Sequence, residues 1–263
     1  MAYLPVKLLG VINTTPVEST NRQIASYVLD NLEKIDFISA GSLAAACNVS
    51  KSAVSRVCRD LDYEDFYHFQ LDALRYTRNY FDKFKIEAEE GGTLTECYLE
   101  RARQSIEQMK TRLDDGQVRQ LAADLVSHPH VILMGNMQSG DIAYILQHNL
   151  FIAGKPATVA VNLREQRMLL QDIKSHTLVI IFSVSATFFH YLDMPDLLKE
   201  RPEGVKLCLI TTHPLETIPD VVDLAVNCGG DSTLAGGNMN MEHVANLLVL
   251  HYQKLTAGKP DKE

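Results

Sequence analysis

Apolar residues recur at helical spacing through the first third of the chain and then give way to alternating strand-like runs and helical stretches. From Asn21 to Leu32 the positions Ile24, Tyr27, Val28 and Leu32 form one stripe, continued by Ile35. Leu43, Ala44 and Cys47 form a second, and Val54 and Val57 a third. From Thr93 a longer helix carries Leu94, Tyr98, Ala102, Ile106 and Met109. Beyond it Asp114 and Asp115 are fit to cap a helix running to Val126. Bare apolar runs then predict strands at Val131 to Met134, Thr158 to Val161, Leu178 to Phe182, Lys206 to Thr211 and Leu224 to Asn227. Between and after them the pattern predicts helices from Gly140 to Gly154, Glu165 to Leu170, His190 to Lys199 and Met241 to Leu255. Residues 1–20 show no steady period and are expected to be partly ordered at best. The fold class is therefore α/β: an N-terminal all-α bundle, then a doubly wound, parallel, five-stranded sheet flanked by helices.

The spacing divides the chain into residues 1–85, a polar linker region at 86–110 broken by Gly91 and Gly92, and residues 111–263. Composition changes this picture little. The 46% apolar and 22% charged residues suit a protein with a real core. The formal charge of -8 excludes a protein that coats nucleic acid non-specifically, but residues 1–85 are close to charge-balanced, so a local basic patch there stays open. The five cysteines, an odd number without a CxxC pair, predict neither a disulfide framework nor a zinc site. The histidines are scattered without HExxH spacing, and no metal or cofactor is expected. The first residues lack a signal-peptide pattern and no apolar run approaches about 18 residues. A cytoplasmic protein with no membrane partner is the expectation.

Chemistry concentrates in two places. In Ala40 to Arg59, Asn48 occupies the turn between two helices, where asparagine tolerates the left-handed conformation, and Ser50 is placed to cap the second helix. Val49 plugs the corner. The second helix turns Lys51, Ser52, Ser55, Arg56 and Arg59 away from its valines. These are the side chains that reach base edges and phosphates in a major groove. The same spacing also fits a helical hairpin with solvated cations. The second place is the rim formed by the strand ends, where a doubly wound sheet binds its ligands. Gly135, Asn136, Met137, Gln138, Ser139 and Gly140 follow the first strand, and Ser183, Val184, Ser185, Ala186 and Thr187 follow the third. Thr211, Thr212 and His213 follow the fourth. Backbone N–H groups at helix starts with added hydroxyls cradle phosphate, although serine and glycine after strands also serve as plain turn residues.

Residues 19–75 resemble the N-terminal domain of the RpiR-type family of bacterial regulators. IASYVLDN (Ile24 to Asn31), SLAAACNVS (Ser42 to Ser50) and SAVSRVCRDLDYEDFYHF (Ser52 to Phe69) carry that resemblance. Asn48 stands where the family has glycine, and Asp62 follows Leu61 in place of another. Residues from about 115 to 255 are similar to the sugar isomerase (SIS) domain that follows in this family. GNMQSG matches its first loop at Gly135, Ser139 and Gly140, with Met137 replacing the middle glycine. SVSATF matches its second at Ser183 and Ser185, with Ala186 replacing glycine and Phe188 a threonine.

The resemblance implies a DNA-binding regulator of carbohydrate metabolism rather than an enzyme. Ser50, Lys51, Ser52, Ser55, Arg56 and Arg59 would meet operator DNA. Gly135, Asn136, Ser139, Ser183, Ser185, Thr187 and Glu242 would meet a phosphorylated sugar or related effector. A homodimer or homotetramer is implied. Glu242 is open to two readings, a remnant base or hydroxyl-binding group and a carboxylate favoured by a helix dipole. Arg164, Glu165 and Arg167 lie either at the pocket mouth or on a solvated helix start. A phosphosugar isomerase with a helical appendage, and a regulator whose pocket has decayed, are the alternatives.

Overall fold

The computed structural model describes residues 4–80, 92–160, 163–190, 200–230 and 236–257. The chain forms two compact units, Met1–Lys83 and Phe84–Glu263.

The first unit is entirely helical: α1 (Leu4–Thr14), α2 (Thr20–Asp30), a 3-10 turn at Leu32–Phe37, α3 (Ala40–Ala46), α4 (Lys51–Asp60) and α5 (Phe66–Tyr80). Serines start three of these helices. Ser19, Ser39 and Ser50 each accept a backbone N–H of the first turn, satisfying a donor that the helix itself leaves open. Ile24, Val28, Leu32, Ile35, Leu43, Cys47, Val54 and Val57 join one core, as their spacing predicts. Tyr27 and Val49 pack at its edge.

The expectation for residues 1–20 is corrected by α1. Leu4 and Leu8 are fully buried in the same core, with Val11 and Ile12 packed against it. The i, i+4, i+7, i+8 stripe was present in LPVKLLGVI. Pro5 and Gly10, both poor helix formers, mask it, and tertiary packing outweighs their propensity. Arg22 closes the helix by donating to the carbonyls of Ile12 (2.5 Å) and Thr15 (3.1 Å). Lys7 donates to the carbonyl of Leu61 and lies 4.2 Å from the centre of the Tyr63 ring.

The second unit holds a five-stranded, all-parallel sheet of order β2-β1-β3-β4-β5. Its strands are β1 (His130–Gly135), β2 (Thr158–Ala160), β3 (Thr177–Phe182), β4 (Lys206–Thr211) and β5 (Leu224–Asn227). Helices α6 (Leu94–Arg112), α7 (Asp115–Ser127), α8 (Gln138–Ile152), α9 (Leu163–Gln171) and α10 (Gly237–Thr256) surround it. Alternate residues of each strand enter opposite cores, as the period of two requires. Leu133, Ile180, Phe182 and Ile210 pack with α7, α8 and α10. Ile132, Met134, Val179, Ile181 and Leu209 pack with Leu170 of α9 and with Phe188 and Phe189. Sheets covered on both faces need strands apolar throughout, and β3 is buried at all six positions.

The stretch read as a linker is α6 from residue 94 onward. Thr93 and Glu96 form a reciprocal cap at its start, and Met109 enters the sheet core. Its buried stripe is Ala102, Ser105 and Met109, while Leu94 and Ile106 face solvent. The predicted helix from His190 to Lys199 lies outside the described residues, apart from a 3-10 turn at Thr187–His190. No helix among the described residues is long and apolar enough to cross a membrane.

Candidate functional site

Helix α4 is strongly two-faced. Val54, Val57 and Cys58 are buried, whereas Lys51, Ser52, Ser55, Arg56 and Arg59 are exposed, as expected. Ser50 is exposed too, but its hydroxyl already works as the N-cap, accepting from Ala53 N (3.2 Å) and pairing with Ser52 Oγ at 2.8 Å. Ser55 Oγ donates back to the Lys51 carbonyl. Asn48 has φ 51° and Asp62 φ 61°, so both positions where glycine is replaced keep the left-handed backbone. The turn and the end of α4 therefore have the shape that glycine would give, with residue types that visit this region most readily. Behind the helix, Tyr63 donates to the buried Asp72 carboxylate at 2.5 Å and meets Phe69 edge to face. Burial and the Asp72 bond push the Tyr63 hydroxyl far above its usual pKa.

In the second unit, the order 2-1-3-4-5 puts the topological switch between β1 and β3. Gly135 and Phe182 are register partners at their ends, so the loops carrying Asn136 to Ser139 and Ser183 to Ser185 leave side by side. Gly135 is required there, because a Cβ would stand 2.5 Å from the Ser139 carbonyl oxygen and 2.8 Å from Gly140 N. Met137 takes φ 53° and ψ -131°, and Ala186 φ 53°. Both hold conformations that side chains disfavour, at a cost on the order of 1–3 kcal/mol each.

Ser139 and Ser183 are buried, Ser185 and Asn136 half-buried. The side chains of Thr187 and Arg164 lie outside the described residues. Phe188 does not merely lack a hydroxyl: it is buried in the second sheet core with Phe189. The third loop braces the second, since Thr211 and Thr212 both donate to the Val184 carbonyl, at 3.2 and 2.9 Å. Glu242 is half-exposed on α10, whose start is joined to that of α8 by Asn238 donating to Gln138 Oε1 at 2.5 Å. Glu165 and Arg167 are exposed. A groove of about 320 Å3 lies at the opposite end of the sheet, against His130, Thr158 and Thr177, and none of the predicted residues lines it.

The sequence reading missed Gln166, which lies between Glu165 and Arg167. Its side chain is fully buried, and Nε2 donates to the carbonyls of Gly135 (3.0 Å) and Ala160 (2.9 Å) and to Asn136 Oδ1 (3.2 Å). It ties the ends of β1 and β2 to the first loop. Its Oε1 is buried without a partner among the described residues. The available signal was its i, i+4 spacing with Leu170, which puts a carboxamide on the apolar side of α9. A second carboxamide, Asn240 of α10, is equally buried. Its Nδ2 reaches the carbonyls of Ser105, Cys228 and Gly229, while its Oδ1 and the Ser105 hydroxyl stay unsatisfied.

Residues 13–77 match the model of the helix-turn-helix domain of the rpiR family. The N-terminal unit thus carries a helix-turn-helix domain of the rpiR type. The chain is also 25% identical over 273 residues to an uncharacterized HTH-type transcriptional regulator in the aarA 3' region of Providencia stuartii, covering 99% of this chain and 94% of the relative. Among solved structures it is similar to the Vibrio vulnificus NanR protein complexed with ManNAc-6P, at 18% identity and TM-score 0.52, over 98% of this chain and 93% of that one. The sugar isomerase domain of an RpiR transcription factor from Sphaerobacter thermophilus matches at 20% identity and TM-score 0.52, over 60% and 89%. An E. coli CFT073 protein in complex with A5P matches at 17% and TM-score 0.53, over 63% and 91%. At these identities the structural likenesses establish the fold alone: the second unit is folded like the sugar isomerase domain of the Sphaerobacter thermophilus protein.

Proposed function

We propose that the protein is a ligand-responsive repressor or activator that binds DNA as a dimer, without enzymatic activity of its own. The observation that carries this reading is the exposed hydroxyl-and-cation face of α4, held outward by its buried valines. Lys51, Ser52, Ser55 and Arg56 would contact bases, and Ser50 and Arg59 phosphates. The effector would sit at the switch between β1 and β3, against the start of α8. Gly135, Asn136, Ser139, Ser183, Ser185, Thr187 and Glu242 would contribute to its site, and Gln166 would hold the loop. Relatives in the same fold were solved with ManNAc-6P and A5P, which supports a sugar phosphate as the ligand class. A ligand with different affinity for the DNA-competent and DNA-incompetent arrangements would couple the two units.

Gel shifts with duplex fragments from upstream of the protein's own gene test the first half. Arg56→Ala is expected to weaken binding roughly in the range of 1–3 kcal/mol, and Lys51→Ala to lower the salt slope by about one. Unchanged shifts for both variants would remove α4 from the interface. Thermal shift across hexose, pentose and N-acetylhexosamine phosphates tests the second half, because a bound ligand raises stability. Two observations favour a narrower reading, in which the pocket has lost its ligand: the strained Met137 and Ala186, and the burial of Phe188. A flat response across the panel would establish that reading, and turnover of any of these phosphates would establish an isomerase instead.

A further inference from the structure

The carboxamide of Gln166 can be turned only one way. Its Nε2 lies 3.0 Å from the Gly135 carbonyl and 2.9 Å from the Ala160 carbonyl, and a carbonyl can only accept. Turning the amide over would set Oε1 against two oxygens at a fully buried position, with no water to relieve them. The nitrogen therefore faces these neighbours. The third of them, Asn136, must then present its oxygen, which accepts at 3.2 Å. One carboxamide fixes the direction of the next.

Asn136 has a second branch. With Oδ1 turned in toward Gln166, Nδ2 leaves the same planar group in another direction, and among the described residues it has no acceptor. Asn136 is half-buried, so this branch is the one open at the rim. Asn136 follows Gly135 as Ser183 follows Phe182, and those two are register partners. The two residues therefore begin adjacent loops, on strands about 4.8 Å apart. Neither Gly135 to Gly140 nor Ser183 to Thr187 contains an ionisable side chain. The polarity of these loops comes from neutral donors and from the positive end of α8, which starts at Gln138.

We infer that Asn136 Nδ2 selects the charged end of the effector, donating to an anionic oxygen of a phosphate or a carboxylate, and that Gln166 is the positioning residue that keeps nitrogen rather than oxygen outward. The inference rests on the reading of this rim as the effector site and names the chemistry the site accepts. An ammonium on the ligand would need the amide oxygen, which is already engaged by Gln166. A phosphate or carboxylate oxygen only accepts, and a hydrogen bond to a charged acceptor is stronger than one between neutral groups.

Isothermal titration calorimetry on the full chain tests this, with glucose 6-phosphate, ribose 5-phosphate, N-acetylglucosamine 6-phosphate, glucuronate and inorganic phosphate as probes. The tightest probe is then titrated into variants. Asn136→Ala removes the donor and is expected to weaken binding about 10- to 100-fold. Asn136→Asp keeps an oxygen toward Gln166 but turns a carboxylate oxygen outward. It is expected to bind at least about ten-fold more weakly than Asn136→Ala, with the melting temperature of the ligand-free chain near that of the wild type. Were the oxygen outward in the wild type, Asn136→Asp would bind better than Asn136→Ala, and that result would overturn the inference. Gln166→Met is expected to weaken binding several-fold by itself, and by less in the Asn136→Ala background, because its effect passes through Asn136. Equal losses in the two backgrounds would overturn its orienting role. Wild-type binding that none of the Asn136 variants alters would overturn the inference alone, whereas a wild type that binds no probe would overturn the effector reading with it.

Discussion

Replacing Gly135 by alanine isolates the geometry on which the candidate ligand site depends. The added Cβ would meet three backbone atoms, Ser139 O at 2.5 Å, Ser139 C at 2.6 Å and Gly140 N at 2.8 Å, where ordinary contact begins at 3.4 Å. No rotamer relieves a clash with backbone, so the first turn of α8 must retreat from β1 by somewhat under an ångström. Overpacking of this kind costs about 1–3 kcal/mol. For a unit of this size, each kcal/mol lowers the melting temperature by about 2–4 °C. Scanning calorimetry of the full chain should therefore show a fall of several degrees in the transition of the second unit. Gly10→Ala is the control: a Cβ there meets nothing within 4 Å, and alanine is the better helix former. Gly10→Ala should leave stability unchanged or raise it. If Gly135→Ala melted at the wild-type temperature, the close approach of loop and strand would be wrong, and with it the placement of the rim.

Other expectations follow from single contacts. Tyr63→Phe removes the donor to the buried Asp72 and should destabilise the first unit by about 1–3 kcal/mol in urea unfolding; an unchanged midpoint would mean that Asp72 finds another partner. Met137→Gly should stabilise the second unit by about 1 kcal/mol, since the strain relieved exceeds the entropy that glycine adds; a lower melting temperature would show the methionine side chain to matter more than its backbone. Burial pushes the Cys58 thiol up to about 11 and Cys228 to about 12, and raises Cys47 and Cys208 as well. At pH 8, below all four raised values, thiolate is scarce at these sites. Iodoacetamide should therefore label the partly exposed Cys97 first, and mass spectrometry showing rapid modification of any of the four would contradict the burial.

The helix-turn-helix was legible because its signals are local. Asn48 and Asp62 announce left-handed turns, Ser50 a cap, and the valines an inner face, and each depends only on residues within a turn or two. The strands were equally plain, because a sheet covered on both faces fills the middles of its strands with apolar residues and leaves polar ones to their ends. Helix α1 was hidden by Pro5 and Gly10, whose unfavourable propensity is overcome only by the burial of Leu4 and Leu8 against helices further along the chain. At the rim, hydroxyls were easy to find and Gln166 was not. A glutamine between Glu165 and Arg167 reads as surface, and its three acceptors, Gly135, Asn136 and Ala160, are brought to it only by the finished sheet. Phe188 shows the same limit: its lack of a hydroxyl is visible in the letters, its place inside the core is not.

The buried Asn240 has a consequence for how the helices beside the proposed ligand site are held. It lies two residues beyond Asn238, which grips the start of α8, and its amide clasps the Ser105 carbonyl on α6, the first described helix of the second unit. The clasp is incomplete, since Asn240 Oδ1 and the Ser105 hydroxyl are buried without a hydrogen-bond partner among the described residues. What it does secure is the spacing of two helices: with three carbonyls on one amide, the first turn of α10 cannot draw away from α6 without giving up bonds buried out of reach of water.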